Sequence, residues 1–199
     1  PENATGVAPI WVDDEGENSI VVALGANLAL SKGDVEAARE EIAQADVLIV
    51  QLEIDLDTVA HALLVAKDHD VTTILNPAPA AHLPESTLAL ADFLTPNETE
   101  LQTLYDDVPD DLRQLVQAGG PTLVMTAGSR GAVWATESDR GEVPTYKVDV
   151  VDTTGAGDAF NAGLAVALAE GKPLAEAIAF ANATAAMCVT RPGTAPSMP

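Results

Sequence analysis

The chain has 199 residues, 47% of them apolar, which suits one folded α/β domain with a sizeable core and argues against disorder. Nine Lys and Arg stand against 31 Asp and Glu, a formal charge of −22, so the surface repels nucleic-acid phosphates and no nucleic-acid partner is expected. No apolar run nears the ~20 residues of a membrane span, and the opening PENATGVAPIWVDDEG lacks the basic and apolar regions of a secretory signal.

Val7 to Val12 (VAPIWV) and Ser19 to Ala23 (SIVVA) are strand-like and joined by the acidic turn DDEGEN, a predicted hairpin. Ser31 is expected to cap a helix with Asp34 in its first turn and Val35, Ala38, Ile42 and Ala45 on one face. VLIVQL (Val47 to Leu52) is a continuous apolar run, which predicts a buried parallel strand. Asp57 to Lys67 is helical, with Val59, Leu63 and Ala66 at helical spacing. VTTILN is a strand running into NPAPAA (Asn76 to Ala81), whose prolines exclude a helix there. A short helix follows PES, and DFLT (Asp92 to Thr95) is a brief strand before Pro96 and Asn97 open another helix. DDVPDD is a loop, Leu112 to Gln117 a helix closed by Gly119 and Gly120, and TLVMT (Thr122 to Thr126) a buried strand ending in AGSRG. AVWAT and a strand around Tyr146 follow, split by SDRG, and helices over Ala156 to Ala169 and Leu174 to Val189 come last. This alternation predicts a parallel sheet with helices on both faces, with ligands beyond the carboxyl ends of the strands, where the loops after Leu52, Asn76, Thr95 and Thr126 meet.

Cys188 stands alone, so it forms no internal disulfide and reads as a small buried residue in a reducing cytoplasm. His61, His69 and His82 lack ligand spacing and read as surface or helix-packing residues. The charge reads as adaptation to a salt-rich cytoplasm, with plain solubility as the alternative.

The stretch VDTTGAGDAFNAG (Val151 to Gly163) carries the chemistry. Gly155 and Gly157 allow a close backbone approach, and the helix behind them offers free N–H groups and a positive dipole end, an anion hole suited to a phosphoryl group in transfer. Asp158 stands where it can take a proton from an attacking hydroxyl. Taken alone, the same residues also fit a simple capping turn with a dipole-favoured acid.

DTTGAGDAFNAG resembles the second signature of the ribokinase family of sugar kinases, also called the PfkB family. TPNETE (Thr95 to Glu100) is similar to its N-x-x-E motif, TAGSRG (Thr126 to Gly131) to its nucleotide loop, and NPAPA to its strand-end loop. VTRPGTAPSMP resembles its C-terminal segment around the adenine and a monovalent cation, and TGVAPIWVDDEGEN with GANLALS resembles its middle. The resemblance implies a single ribokinase-like domain over 1–199, with a partial lid hairpin in 1–27 and a nucleotide-binding core in 28–199. It implies Asp158 as catalytic base and Gly155, Ala156 and Gly157 as anion hole. It places ATP near Asn97, along Thr126, Ala127, Gly128, Ser129, Arg130 and Gly131, and against Asn182. Arg130 reads as a surface arginine before a phosphate contact, and Asn97 with Glu100 also reads as a helix capping box, a role compatible with the first. Glu53 matches a glutamate that binds sugar hydroxyls. Glu100 would orient Mg²⁺ through water. The Asp152 side chain, the carbonyls of Thr154, Cys188, Arg191 and Gly193, and the Ser197 hydroxyl would hold K⁺.

The implied activity is ATP-dependent phosphorylation of a sugar primary hydroxyl, D-ribose first, with fructose, 2-keto-3-deoxygluconate, a nucleoside or deoxyribose as alternatives. The implied partners are ATP and a small sugar, in a homodimer. A complete family member carries a further N-terminal part with a glycine-rich signature, a sugar-gripping aspartate and half of the lid, and a final helix beyond Pro199. The expectation is therefore that the 199-residue chain alone has little activity. The rival is a non-catalytic nucleotide-binding or oligomerising module.

Overall fold

Short runs of β-branched and apolar residues between turn residues build the sheet, and Ala- and Leu-rich runs free of proline build the helices that cover it. The computed structural model describes residues 3–12, 18–116 and 119–199. A six-stranded sheet runs in the order β3 (Val47–Val50), β4 (Thr72–Leu75), β5 (Phe93–Leu94), β6 (Thr122–Thr126), β7 (Ala132–Ala135) and β8 (Arg140–Val143). β3 to β6 are mutually parallel, whereas β7 is antiparallel to both β6 and β8. The sheet is thus mostly parallel, and a tight turn at Gly128–Arg130 reverses the chain before β7.

Alternation along the strands sends neighbours to opposite faces. Leu75, Leu94 and Leu123 join α3 (Leu56–Lys67), α4 (Glu85–Leu88) and α5 (Glu98–Leu104) in one core through Val59, Leu63, Leu88 and Leu101. Ile74, Val124 and Ala132 face the other way, onto Phe160 and Leu164 of α6 (Ala156–Ala169) and Ile178 of α7 (Leu174–Cys188). Each fully buried leucine contributes roughly 1.5–3 kcal/mol. α6 and α7 pack closely because Gly163 lacks a side chain, and a Cβ there would lie 2.6 Å from Thr184 Oγ1 and 3.0 Å from the Ala181 Cα.

β1 (Ile10–Val12) and β2 (Asn18–Ile20) form the expected antiparallel hairpin. Val7 and Ala23 extend it by exchanging two hydrogen bonds of 2.9 Å. The acidic turn at 13–17 lies outside the described residues.

Four expectations change. The helix after Ser31 is two short pieces, α1 (Lys32–Ala37) and α2 (Arg39–Ala43), because Ala38 leaves the helical region at φ −96, ψ 11. Ser31 and Asp34 nevertheless form the expected reciprocal cap. VLIVQL forms the edge strand β3 with Ile49 40% exposed, so an apolar run marked a strand but not its burial. The helix expected at 112–117 is a tight turn over Leu112–Leu115, with Gln117 outside the described residues. The last strand lies at Arg140–Val143, and Tyr146 follows it in irregular chain, because Arg140 and Gly141 of SDRG pair with Ala135 and Trp134.

Candidate active site

The carboxyl ends of β3 to β6 share one rim. The Leu52 N–H donates to the Ala78 carbonyl at 2.8 Å, so the loops after β3 and β4 are tied together. Glu53 lies half-buried in that rim, its N–H bonded to Gln51 Oε1 at 2.8 Å. The Thr126 N–H donates to the Pro96 carbonyl at 2.9 Å and brings the loops after β5 and β6 together.

α6 begins where Gly155 adopts φ 80, ψ 1, a left-handed turn that favours glycine. The turn lets the Ala156 N–H bond back to the Thr153 carbonyl at 3.2 Å. Ala156 is therefore engaged internally. The N–H groups of Gly155, Gly157 and Asp158 have no partner among the described residues. Around Gly157 there is open space, since a Cβ there would meet no heavy atom within 4 Å. The Asp158 side chain is exposed and makes no ion pair among the described residues.

Beside this helix mouth lies a cleft of about 760 Å³. Thr126, Gly128, Ser129 and Gly131 form one side, Ala156, Gly157 and Phe160 another, and Asn182, Ala185 and Ala186 of α7 a third. The structure thus gathers most of the residues that the sequence assigns to nucleotide and anion hole. Asn182 is buried, and its Nδ2 donates to the Val143 carbonyl at 2.9 Å, tying α7 to the end of β8. Five expected residues stand apart from the lining, among them Gly155 and Asp158 at the helix mouth beside it. Ala127 is buried behind it, Arg130 turns outward to Glu98 at 2.5 Å, and Asn97 caps α5.

Thr145 to Val148 and Val150, where the sequence predicts a strand, form a further part of the wall, with Thr153 and Val189. The signal for it lay in charge. Lys147 and Arg191 are the cations whose side chains have no partner among the described residues, in a chain where the other seven Lys and Arg are engaged. Lys147 lines the cleft, and Arg191 follows the lining residue Val189 closely in the chain.

Asn97 and Glu100 form a reciprocal cap. Asn97 donates its backbone N–H (2.8 Å) and Nδ2 (2.9 Å) to the Glu100 carboxylate, and the Glu100 N–H donates to Asn97 Oδ1 at 2.8 Å. Burial pushes the Glu100 carboxyl above its ordinary range, opposed by the Asn97 N–H. Each Glu100 carboxylate oxygen accepts one of these bonds and keeps a further lone pair, which fits a magnesium-bound water.

The proposed potassium residues are also brought together. Asp152 accepts from the Thr154 N–H and the Gly193 N–H, each at 2.9 Å, and the hydrogen bonds from Thr154 and then Gly193 hold its carboxyl below the usual range. The carbonyls of Arg191 and Gly193 accept no hydrogen bond among the described residues, and that of Thr154 meets only the Cys188 thiol at 3.9 Å. Such free carbonyls beside a carboxylate fit a weakly hydrated cation. The Cys188 carbonyl fits less well, because it accepts from the Arg191 N–H at 3.2 Å. The Cys188 side chain is fully buried against Ser197 Oγ at 3.2 Å. Ser197 Oγ donates to the Thr194 carbonyl at 2.6 Å. His61 meets Glu36 at 2.6 Å and His69 meets Arg39 at 3.2 Å, both far along the chain from the cleft-lining segments. Among the described residues no helix is long and apolar enough to cross a membrane.

The whole chain, residues 1–199, matches the profile described as pfkB family carbohydrate kinase. It is 39% identical to the deoxyribokinase of Salmonella typhi over 207 residues, covering 100% of this chain and 68% of that protein. It is 40% identical to the ribokinase of Haemophilus influenzae over 205 residues, covering 100% and 67%. The Arabidopsis thaliana ribokinase solved with ribose and ATP superposes with a TM-score of 0.85 at 32% identity, covering 100% of this chain and 67% of that one.

Proposed function

The chain belongs to the pfkB family of carbohydrate kinases, and from that membership we propose that it transfers the γ-phosphoryl group of ATP to the primary hydroxyl of a sugar, D-ribose first. Asp158 takes the hydroxyl proton as the sugar oxygen attacks phosphorus, and the bond to the departing ADP oxygen breaks. Negative charge on the equatorial oxygens is met by the open N–H groups of Gly155, Gly157 and Asp158 at the positive end of α6. Thr126, Gly128, Ser129 and Gly131, with Asn182, hold the nucleotide, and Lys147 adds positive charge to a chain of net −22. Glu53 takes sugar hydroxyls at the neighbouring rim. Magnesium, held through water by Glu100, supplies charge neutralisation to the phosphates. Asp152, Thr154, Cys188, Arg191, Gly193 and Ser197 would hold potassium and steady the loop before the anion hole. The exposed hairpin residues Val7, Trp11 and Val21 favour pairing of two copies, which sedimentation checks.

One observation carries the reading. Gly157, whose N–H has no internal partner, lies on the wall of a cleft of about 760 Å³, within the size range of small-molecule sites, with the Asp158 carboxylate one residue further on. The relatives named for ribose and deoxyribose put these pentoses ahead of fructose, 2-keto-3-deoxygluconate and nucleosides. The test is ATP-dependent phosphorylation across that panel by the full-length protein, with Asp158→Ala beside the parent. The variant should lose at least about 10²-fold in rate, the usual contribution of a positioned base. A near-parental rate defeats the base assignment, and ATP binding without transfer to any sugar favours the non-catalytic module.

A further inference from the structure

A chain of buried polar groups runs from the sheet to the helix mouth. Thr95, at the end of β5, and Asn161, one turn into α6, are 2% and 5% exposed. Thr95 Oγ1 donates to Asn161 Oδ1 at 2.7 Å, and Asn161 Nδ2 donates to the Gly157 carbonyl at 3.0 Å. Thr95 is itself held, because Asn76 Nδ2 donates to its carbonyl at 2.9 Å and its N–H donates to the Leu75 carbonyl at 3.0 Å. The Asn76 N–H in turn donates to the Val50 carbonyl at 2.9 Å. Three parallel strand ends are thereby linked to one carbonyl in the first turn of α6.

That carbonyl belongs to the peptide joining Gly157 to Asp158. A trans peptide is planar, and its C=O and N–H point in opposite directions. Fixing the Gly157 carbonyl therefore fixes the Asp158 N–H, which has no internal partner, and the Cα that carries the Asp158 carboxylate. Cooperative polar networks in low dielectric hold geometry tightly when every member is satisfied, as these are.

We propose that Asn161, held by Thr95, is the positioning residue that aims both the Asp158 amide and the Asp158 carboxylate. Neither side chain touches the reacting atoms. The proposal rests on the reading of Asp158 as base. It assigns to the buried Thr95–Asn161 pair a role in rate rather than in nucleotide or sugar affinity.

Asn161→Ala is the first test. Alanine suits a helix, and the Thr95 hydroxyl can turn its one proton to the Leu75 carbonyl 3.5 Å away, so the variant should fold. Misplacing a catalytic group by about 1 Å costs on the order of 10²-fold, so kcat should fall between about 10-fold and about 10²-fold, with KM for ATP and sugar within about threefold. Thr95→Val, which removes the hydroxyl at constant shape, should lower kcat in the same way, and Thr95→Ser should restore it to within about twofold of the parent. Thermal melting and circular dichroism establish that each variant is folded at the assay temperature. The inference is overturned if folded Asn161→Ala and Thr95→Val keep parental kcat while Asp158→Ala is inactive. It is equally overturned if they raise KM at constant kcat. If Asp158→Ala itself keeps its rate, the base reading fails instead, and the two failures are distinct.

Discussion

Gly155 and Gly157 lie two residues apart, yet the structure gives them opposite requirements. Gly155 adopts φ 80, ψ 1, and a Cβ there would lie 3.0 Å from Met198 Cε and 3.5 Å from Thr194 Cγ2. The left-handed backbone costs an alanine roughly 1–2 kcal/mol, and the stiffer unfolded chain returns about half a kcal/mol of that. Met198 Cε ends a flexible side chain and can yield, so it adds little. Gly155→Ala should therefore lose about 1 kcal/mol, a fall in Tm of about 2–4 °C for a chain of this size. Gly157 sits inside the first turn of α6, has no left-handed angle, and faces open space. Gly157→Ala should gain about 0.5–1 kcal/mol from helix propensity. Its methyl group would stand on the cleft wall beside the open amides, where obstructing an oxyanion donor costs on the order of 10²-fold in kcat. Calorimetric melting and initial-rate phosphorylation of both variants make the comparison. A Gly157→Ala enzyme that is more stable and fully active would refute the reasoning, because the empty space would then not be ligand space.

The other expectations concern acid and salt. The Asp152 carboxyl is held below its ordinary value of 3.8, so its contribution is full above that pH and disappears as pH falls through the lowered folded value. Amide exchange at Thr154 and Gly193 should accordingly become faster, relative to the intrinsic rate, as the pH falls below about 3.8. Unchanged protection would show that Asp152 does not clamp the two segments. With a net charge of −22, raising salt from ~0.1 M to ~1 M shortens the Debye length from about 10 Å to about 3 Å and should raise Tm. A flat or falling Tm would remove the case for salt adaptation.

The strand and helix signals that depended on local pattern were legible. VTTILN, TLVMT and the two final helices appear close to where periodicity puts them. What depended on tertiary partners was not. VLIVQL reads as a buried strand, but exposure of Ile49 is decided by β3 being the edge of the sheet. TYKVDVV alternates like a strand, yet residues 144–150 pair with no strand among the described residues, and Thr145 to Val148 and Val150 instead wall the cleft. At the site, GAGD announced its helix mouth, and the sheet order brought Thr126 to Gly131 beside it. The sequence could not show that the Ala156 N–H is used internally, or that Thr95 and Asn161, 66 residues apart, share a buried hydrogen bond. Both facts arise from how α6 docks on the sheet.

Asp152 reaches the Gly193 amide across 41 residues, and between the two lie both long helices of the cleft side. A chain growing on the ribosome exposes the turn at Gly155 well before Gly193 emerges to close around it. Until then the turn is an unlatched loop, and a nascent chain has all six described strands of the sheet before it has a finished cleft. Premature termination between these points would leave a protein with the strands of its six-stranded sheet in place and the Asp152–Gly193 bond unmade.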